Sequence, residues 1–167
     1  MIPLSTAVSG RFTFTSNWRG CELKQGERMV GSLNRPRIWS PEFIAATAGR
    51  DWVIHRSGFW GNKGEIRDAA SGQPAAVFKL GWGGKGTVVF ADGQKFLVVT
   101  RGCWHPVWTV TTEFGDPVFR LHTREKSVEL HNIRAVSESR LSLLVLFTLY
   151  RVRQAEEAAA VAAAAAS

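Results

Sequence analysis

The four histidines are the first candidates for chemistry, because imidazole is the commonest metal ligand and general base. They are His55, His105, His122 and His131. The closest two, His122 and His131, are nine residues apart, a spacing that a strand or hairpin can bring together. No carboxylate or cysteine stands at a spacing that would complete a tetrahedral set of ligands. We therefore expect structural or surface histidines and no metal site.

The cysteines and serines carry no nucleophile signature. Cys21 and Cys103 are 82 residues apart, outside any C-x-x-C spacing, and no G-x-S-x-G sequence is present. Cys103, beside Trp104, is most simply a small buried apolar residue. We expect two free thiols, no catalytic residue, no cofactor, no small-molecule substrate and no enzymatic activity.

A glycine-rich segment, Leu80–Gly86, is similar to a phosphate-binding loop but does not match one. The P-loop requires Ser or Thr after its lysine and a helix behind it. Here Gly86 follows Lys85, and the next residues, Thr87–Phe90, are typical of a strand. The segment is predicted to be a hairpin loop whose bare amides and Lys85 can touch an anionic headgroup.

Charge is the most informative remaining feature. The 167 residues include 21 Lys and Arg against 14 Asp and Glu, a net charge of +7. Residues 138–167 sum to zero, whereas residues 1–63 carry nine basic and four acidic side chains. A one-sided positive field attracts lipid headgroups or nucleic acid, although a basic surface also serves solubility alone.

The best local candidate for an anion site is the segment Arg35–Trp39, in which two guanidiniums flank Pro36 and Trp39 is suited to an interface. The predicted headgroup ligands are Arg35, Arg37, Trp39, Lys24, Arg28 and Lys85. Since a proline-containing edge contributes little to a sheet, reversing the charge of Arg35 and Arg37 is expected to weaken lipid binding and preserve the fold.

A glycine rhythm indicates the elements that must position these side chains. Gly49, Gly72, Gly93 and Gly115 recur every 21 to 23 residues, and three of them stand in typical turn sequences. The predicted strands that follow these glycines are rich in β-branched and aromatic residues: 52–56, 76–80, 87–90, 96–101, 108–112 and 118–122. Nearer the N-terminus, polar and apolar residues alternate at 11–15, a hairpin is predicted from 22–24 and 29–33, and one more strand from 43–48. About a dozen short strands are expected, and a small antiparallel sheet hides so many edges best by closing into a barrel.

The C-terminal region has a different pattern. Leu141–Tyr150 is almost uniformly apolar, after a plausible helix start at Ser137. A helix that is apolar all round is buried, and a 12-residue apolar span reaches only about 18 Å. A hydrocarbon core is about 30 Å thick, so a core helix is favoured over a membrane span. We place this helix at 138–156 and an alanine-rich tail at 158–167.

A dozen hairpin strands followed by one apolar helix resembles the tubby C-terminal-like superfamily, which includes the LURP-one-related proteins and the phospholipid scramblases. The resemblance covers residues 12–150, and the alanine-rich tail with the compact size is typical of a bacterial member. It implies a mainly β fold: a closed antiparallel barrel of about 12 strands with the hydrophobic C-terminal helix through its centre. It also implies a single domain over 1–157 and, as in eukaryotic members, phosphoinositide binding by basic residues, none of which we can match here.

The leading hypothesis is a non-enzymatic binding module for anionic phospholipid headgroups or the inner membrane surface. A protein that binds protein partners through aromatics such as Trp60 and Trp82 is the second, and nucleic-acid binding is the third. Because no cationic segment with an apolar run begins the sequence, we expect a cytoplasmic protein, peripheral to the inner membrane if it binds lipid.

Overall fold

The computed structural model describes residues 12–17, 19–37, 40–57, 62–81, 84–102, 104–132, 134 and 136–166. They form twelve strands and one helix: β1 Phe12–Asn17, β2 Gly20–Gln25, β3 Arg28–Asn34, β4 Glu42–Thr47, β5 Arg50–Ser57, β6 Lys63–Asp68, β7 Pro74–Leu80, β8 Gly86–Phe90, β9 Lys95–Arg101, β10 Val107–Thr112, β11 Pro117–His122, β12 Ser127–Leu130 and α1 Glu138–Ala165.

The strands close into a barrel in which every strand pairs antiparallel with its sequence neighbours. The first and last strands complete the ring through the pair Phe12 and Val128. This confirms the predicted fold class, a mainly β closed antiparallel barrel of 12 strands with a C-terminal helix. Closure leaves no exposed edge, as expected for so many short strands.

Two strands were absent from the predicted runs, β6 and β12. The sequence of β6, KGEIRD, is mostly charged, and its inward positions are Gly64 and Ile66. A Cβ at Gly64 would lie 2.3 Å from the Phe78 ring, so the inward face has no room for the apolar side chain that marks a strand. The sequence of β12, SVEL, is only four residues long. Neighbouring strands therefore determine both elements more than local propensity does.

Helix α1 fills the barrel. All ten residues from Leu141 to Tyr150 are buried, which requires walls on every side of the helix. The Tyr150 ring centroid lies 5.0 Å from that of Phe43 in β4, and Phe147 lies 5.0 Å from Phe78 in β7. The helix therefore supplies the core that the barrel strands surround.

The helix is longer than predicted. It continues beyond Glu156 to Ala165, so the alanine-rich segment prolongs the helix instead of forming a separate tail. Alanine has the highest helix propensity, which explains why the segment stays helical although it is exposed. Among the described residues, no helix is both long and apolar enough to cross a membrane.

Because each strand reverses direction, successive connections lie at alternate ends of the barrel. We call one the turn end, with connections 26–27, 48–49, 69–73, 91–94 and 113–116. The other is the loop end, with connections 18–19, 35–41, 58–62, 81–85, 102–106 and 123–126. Helix α1 starts at the turn end, where Arg140 bonds Asp92, and emerges at the loop end, where Glu157 bonds Arg35.

A candidate anion-binding end of the barrel

The six predicted ligands do not form one surface. Arg35, Arg37 and Lys85 belong to loop-end connections, whereas Lys24 and Arg28 flank the β2–β3 turn at the opposite end. Trp39 lies outside the described residues. The concentration of positive charge in residues 1–63 is thus divided between two ends of the molecule.

At the turn end, Lys24 forms an ion pair with Glu22 of its own strand. Its ammonium lies 3.0 Å from the Glu22 carboxylate, which neutralises its charge locally. Arg28 is exposed, but the connections around it carry more acidic than basic groups. Neither residue therefore adds to a positive field at the loop end.

Arg35 has a structural role. Its guanidinium donates to both carboxylate oxygens of Glu157, at 3.1 and 2.9 Å, and stacks 4.5 Å over the Phe43 ring. Both bonds come from the same nitrogen, Nη2, and they are charge-assisted. Arg35 thereby ties the β3–β4 connection to α1, so reversing its charge would place two glutamates together. The expectation that this reversal leaves the fold intact therefore does not fit the structure.

Further arginines close the interior beneath the loop end. Arg151 lies 5.9 Å over the Trp108 ring, and burial lowers the pKa of its guanidinium. Arg153 approaches Glu157 at 3.6 Å. Tyr150, one turn deeper, accepts a hydrogen bond from Gln154 at 2.6 Å, and burial raises the pKa of its phenol to about 12. The contacts of these groups hold the helix in the barrel.

The remaining loop-end cations face solvent. They are Arg37, Lys63, Lys85, Arg101, Arg124 and Lys126, all exposed and none in an ion pair within the described part of the chain. We call these six residues the rim cations. Sequence reasoning found only Arg37 and Lys85, because the other four are far apart in the chain. Assigning every second hairpin connection to the same end of the barrel would have grouped these residues.

The ends differ sharply in charge when each connection is taken with its two flanking strand residues. The loop end carries eight basic groups and two acidic ones, a net +6: Arg19, Arg35, Arg37, Lys63, Lys85, Arg101, Arg124 and Lys126 against Glu42 and Glu125. The turn end carries three basic and five acidic groups, a net −2: Arg28, Arg50 and Lys95 against Glu27, Asp68, Asp92, Glu113 and Asp116. The positive field therefore points out of one end.

The wall just below the loop end continues this field. Lys63 in β6 stands directly opposite Lys79 in β7, and both are exposed. Like charges in directly opposed positions are destabilising unless a counter-charge is near. The two lysines border a shallow groove of about 430 Å³ that also includes Glu65, Val77 and Val89. Glu65 is therefore a counter-charge within the groove itself, although it also pairs with Arg67.

The described histidines and Cys21 form no competing metal site. The β11–β12 hairpin does bring His122 and His131 near one carboxylate, with Glu129 at 3.4 and 3.7 Å. Within the described ranges, however, no group of three or more His, Cys, Asp and Glu side chains is placed to hold a metal ion. Cys21 is buried with a free thiol, and burial raises its pKa to about 12. Cys103 lies outside the described residues.

Comparison with known proteins adds no relative. No family model, no curated protein and no solved structure matches this chain.

Proposed function

We propose that the protein is a non-enzymatic binding module whose loop end associates with the anionic headgroups of a phospholipid membrane. The observation that carries the proposal is the separation of charge, +6 at the loop end against −2 at the turn end. Each Lys or Arg close to an anionic membrane contributes on the order of 1 kcal/mol of attraction. Six exposed rim cations thus supply enough attraction for measurable binding, while the turn end is repelled.

The character of the rim supports a surface ligand over an enclosed one. The six rim cations sit in or beside five separate connections spread around the barrel mouth, and α1 with its arginines fills the centre. A single small anion cannot reach cations distributed in this way, whereas a sheet of headgroups contacts several at once. Membership of the tubby-like superfamily is part of the proposal, and the twelve strands around one helix support it.

The test compares charge reversals at the two ends. Lys85→Glu with Arg124→Glu changes the loop end. Arg28→Glu with Arg134→Glu makes the same change in net charge at the turn end, where Arg134 lies in the connection between β12 and α1. All four side chains are exposed. Co-sedimentation with phosphatidylserine-containing vesicles should weaken at least tenfold for the first variant, since two attractions of about 1 kcal/mol each are lost. The second variant should bind like the wild type.

Salt and competitors complete the test. Binding should fall steeply with ionic strength, because the screening length is about 8 Å at physiological salt. Equal loss in both double variants would remove the loop end as the site. Absence of wild-type binding to anionic vesicles, with binding to single-stranded oligonucleotides or to a protein partner instead, would overturn the proposal.

A further inference from the structure

An exposed aromatic ring distinguishes the loop end beyond its charge. Trp104, in the β9–β10 connection, is 91% exposed. Transferring so exposed a ring from water into an apolar medium lowers its free energy. At the turn end the comparable ring is Phe114, 86% exposed, but it stands in a turn with Glu113 and Asp116. Only the exposed ring at the loop end therefore coincides with positive charge.

The sequence repeats this arrangement. Tryptophan occurs at 18, 39, 60, 82 and 104, at intervals of 21 or 22 residues. Each of these positions falls in a different one of the first five loop-end connections, because the interval equals one hairpin. The two remaining tryptophans, Trp52 and Trp108, are buried in the barrel. Of the five in connections, Trp104 alone belongs to the described residues.

The helix determines which side of the loop end a flat surface can approach. Helix α1 emerges beside the β3–β4 connection, where Glu157 bonds Arg35. The exposed residues Ala158–Ala165 then prolong it by about 12 Å. In a ring of twelve strands the β9–β10 connection lies directly opposite β3–β4. A barrel that tilts towards its Trp104 side thus contacts a flat surface on that side, while the helix extension lies on the side away from the surface.

The cations on that side complete the surface. Lys85, Arg101 and Arg124 lie in or beside the β7–β8, β9–β10 and β11–β12 connections, and all three are exposed. Tryptophan is enriched at the headgroup level of membranes, where its ring is apolar and its N–H stays hydrated. Cations on either side of such a ring are positioned to meet anionic headgroups.

We propose that these three connections form the bilayer-contacting surface, with Trp104 inserted at headgroup level and Lys85, Arg101 and Arg124 lying over anionic headgroups. This inference rests on the proposed function and makes it specific: the partner is an intact lipid surface, and the barrel docks tilted on one sector of its loop end. Free phosphate or a detached headgroup offers no interface for the ring to enter.

The experiment uses the full chain and vesicles made of equal parts phosphatidylcholine and phosphatidylserine. Trp104→Ala should weaken binding roughly tenfold, because it removes the apolar ring that the bilayer would cover. The affinity of Trp104→Phe should lie between those of the wild type and Trp104→Ala. Phe114→Ala is the matched control at the opposite end and should bind like the wild type. Arg101→Glu should weaken binding more than Arg37→Glu, since Arg37 lies in the β3–β4 connection on the side of the helix. Circular dichroism establishes that each variant is folded.

Insertion has its own measurement. Lipids brominated near the headgroup should quench the fluorescence of the wild type more than that of Trp104→Phe. Vesicle binding that Trp104→Ala leaves unchanged would overturn the tilted docking and leave the charge-based function standing. Equal effects of Arg101→Glu and Arg37→Glu would indicate that the whole loop end, and not one sector of it, contacts the bilayer. If the wild type binds no anionic vesicle, the function and the inference both fail.

Discussion

The two ends of the barrel differ in the length of their connections and in the exposure of their charged side chains. Every strand-to-strand connection at the turn end contains a glycine with positive φ, such as Gly49 at 88° and Gly93 at 87°. Two of its carboxylates are engaged, Asp68 with Ser71 and Arg50, and Asp92 with Arg140. The loop end has mostly longer connections and leaves its rim cations exposed. One end closes the fold, and the other presents charge, because tight turns satisfy their polar groups internally and longer loops display them.

The same contrast extends to titration. At the turn end, hydrogen bonds to the carboxylates lower the pKa of Asp68 and of Asp92. Beneath the loop end, burial raises the pKa of Cys21 and of Tyr150 to about 12. Acid should therefore weaken the turn end first, and alkali the packing beneath the loop end.

The comparison depends on α1 joining the two ends, and breaking that link has the largest expected effect. Leu144 is fully buried at the middle of the helix. Leu144→Asp should unfold the protein, because a buried unpaired carboxylate costs several kcal/mol, about as much as a domain's whole stability. Val161→Asp, on the 70% exposed extension, is the control and should remain folded. Circular dichroism and thermal melting decide it, and a folded Leu144→Asp protein would contradict a core role for the helix.

An alkaline titration tests the interior of the loop end. The ordinary pKa values of Cys21 and Tyr150, 9.0 and 10.0, are both raised to about 12 in the fold. A raised pKa gives stability that is complete below the ordinary value and is lost as the pH rises towards the folded value. The melting temperature should therefore decline above about pH 9. Cys21→Ala with Tyr150→Phe should flatten this decline; an unchanged alkaline slope would assign it to other groups.

An acid titration tests the turn end and should show the smallest effect, because Asp68 and Asp92 are near solvent. Both pKa values are lowered from 3.8, Asp68 mainly by the Ser71 amide and Asp92 mainly by Arg140. A lowered pKa gives stability that is present above the ordinary value and is lost as the pH falls through the folded value. Melting temperatures should drop below about pH 4. Asp68→Asn with Asp92→Asn should reduce that drop, whereas Glu129→Asn, on the wall, should not.

Much of the fold was predictable from local sequence. The glycines at 49, 72, 93 and 115 all adopt the positive φ that their turn sequences require. Ten of the twelve strands overlap predicted runs, most of which are rich in β-branched or aromatic residues, and an apolar stretch with no polar face predicts a buried helix. The two missed strands show the limit, since the inward face of β6 is specified by the Phe78 ring on the neighbouring strand β7.

The candidate site was predictable only in part. Its chemistry, basic residues for an anionic partner, follows from a net charge of +7. Its location does not, because proximity in sequence misleads in a hairpin barrel. Arg28 and Arg35 are seven residues apart, yet they lie at opposite ends of β3, about 23 Å away at the usual rise of a strand.

The sequence by itself determined the number of hairpins, the closing of the sheet and the burial of the helix, since these depend on residue types at short spacing. Only the tertiary structure decided which charges act together. Antiparallel pairing collects every second connection at one end, so Lys85, Arg101 and Arg124 share a rim. Helix α1, passing through the barrel, brings Glu157 to Arg35 across 122 residues and removes that arginine from the binding surface. Which charged side chains come together depends on strand pairing over the whole chain, and no local pattern encodes it.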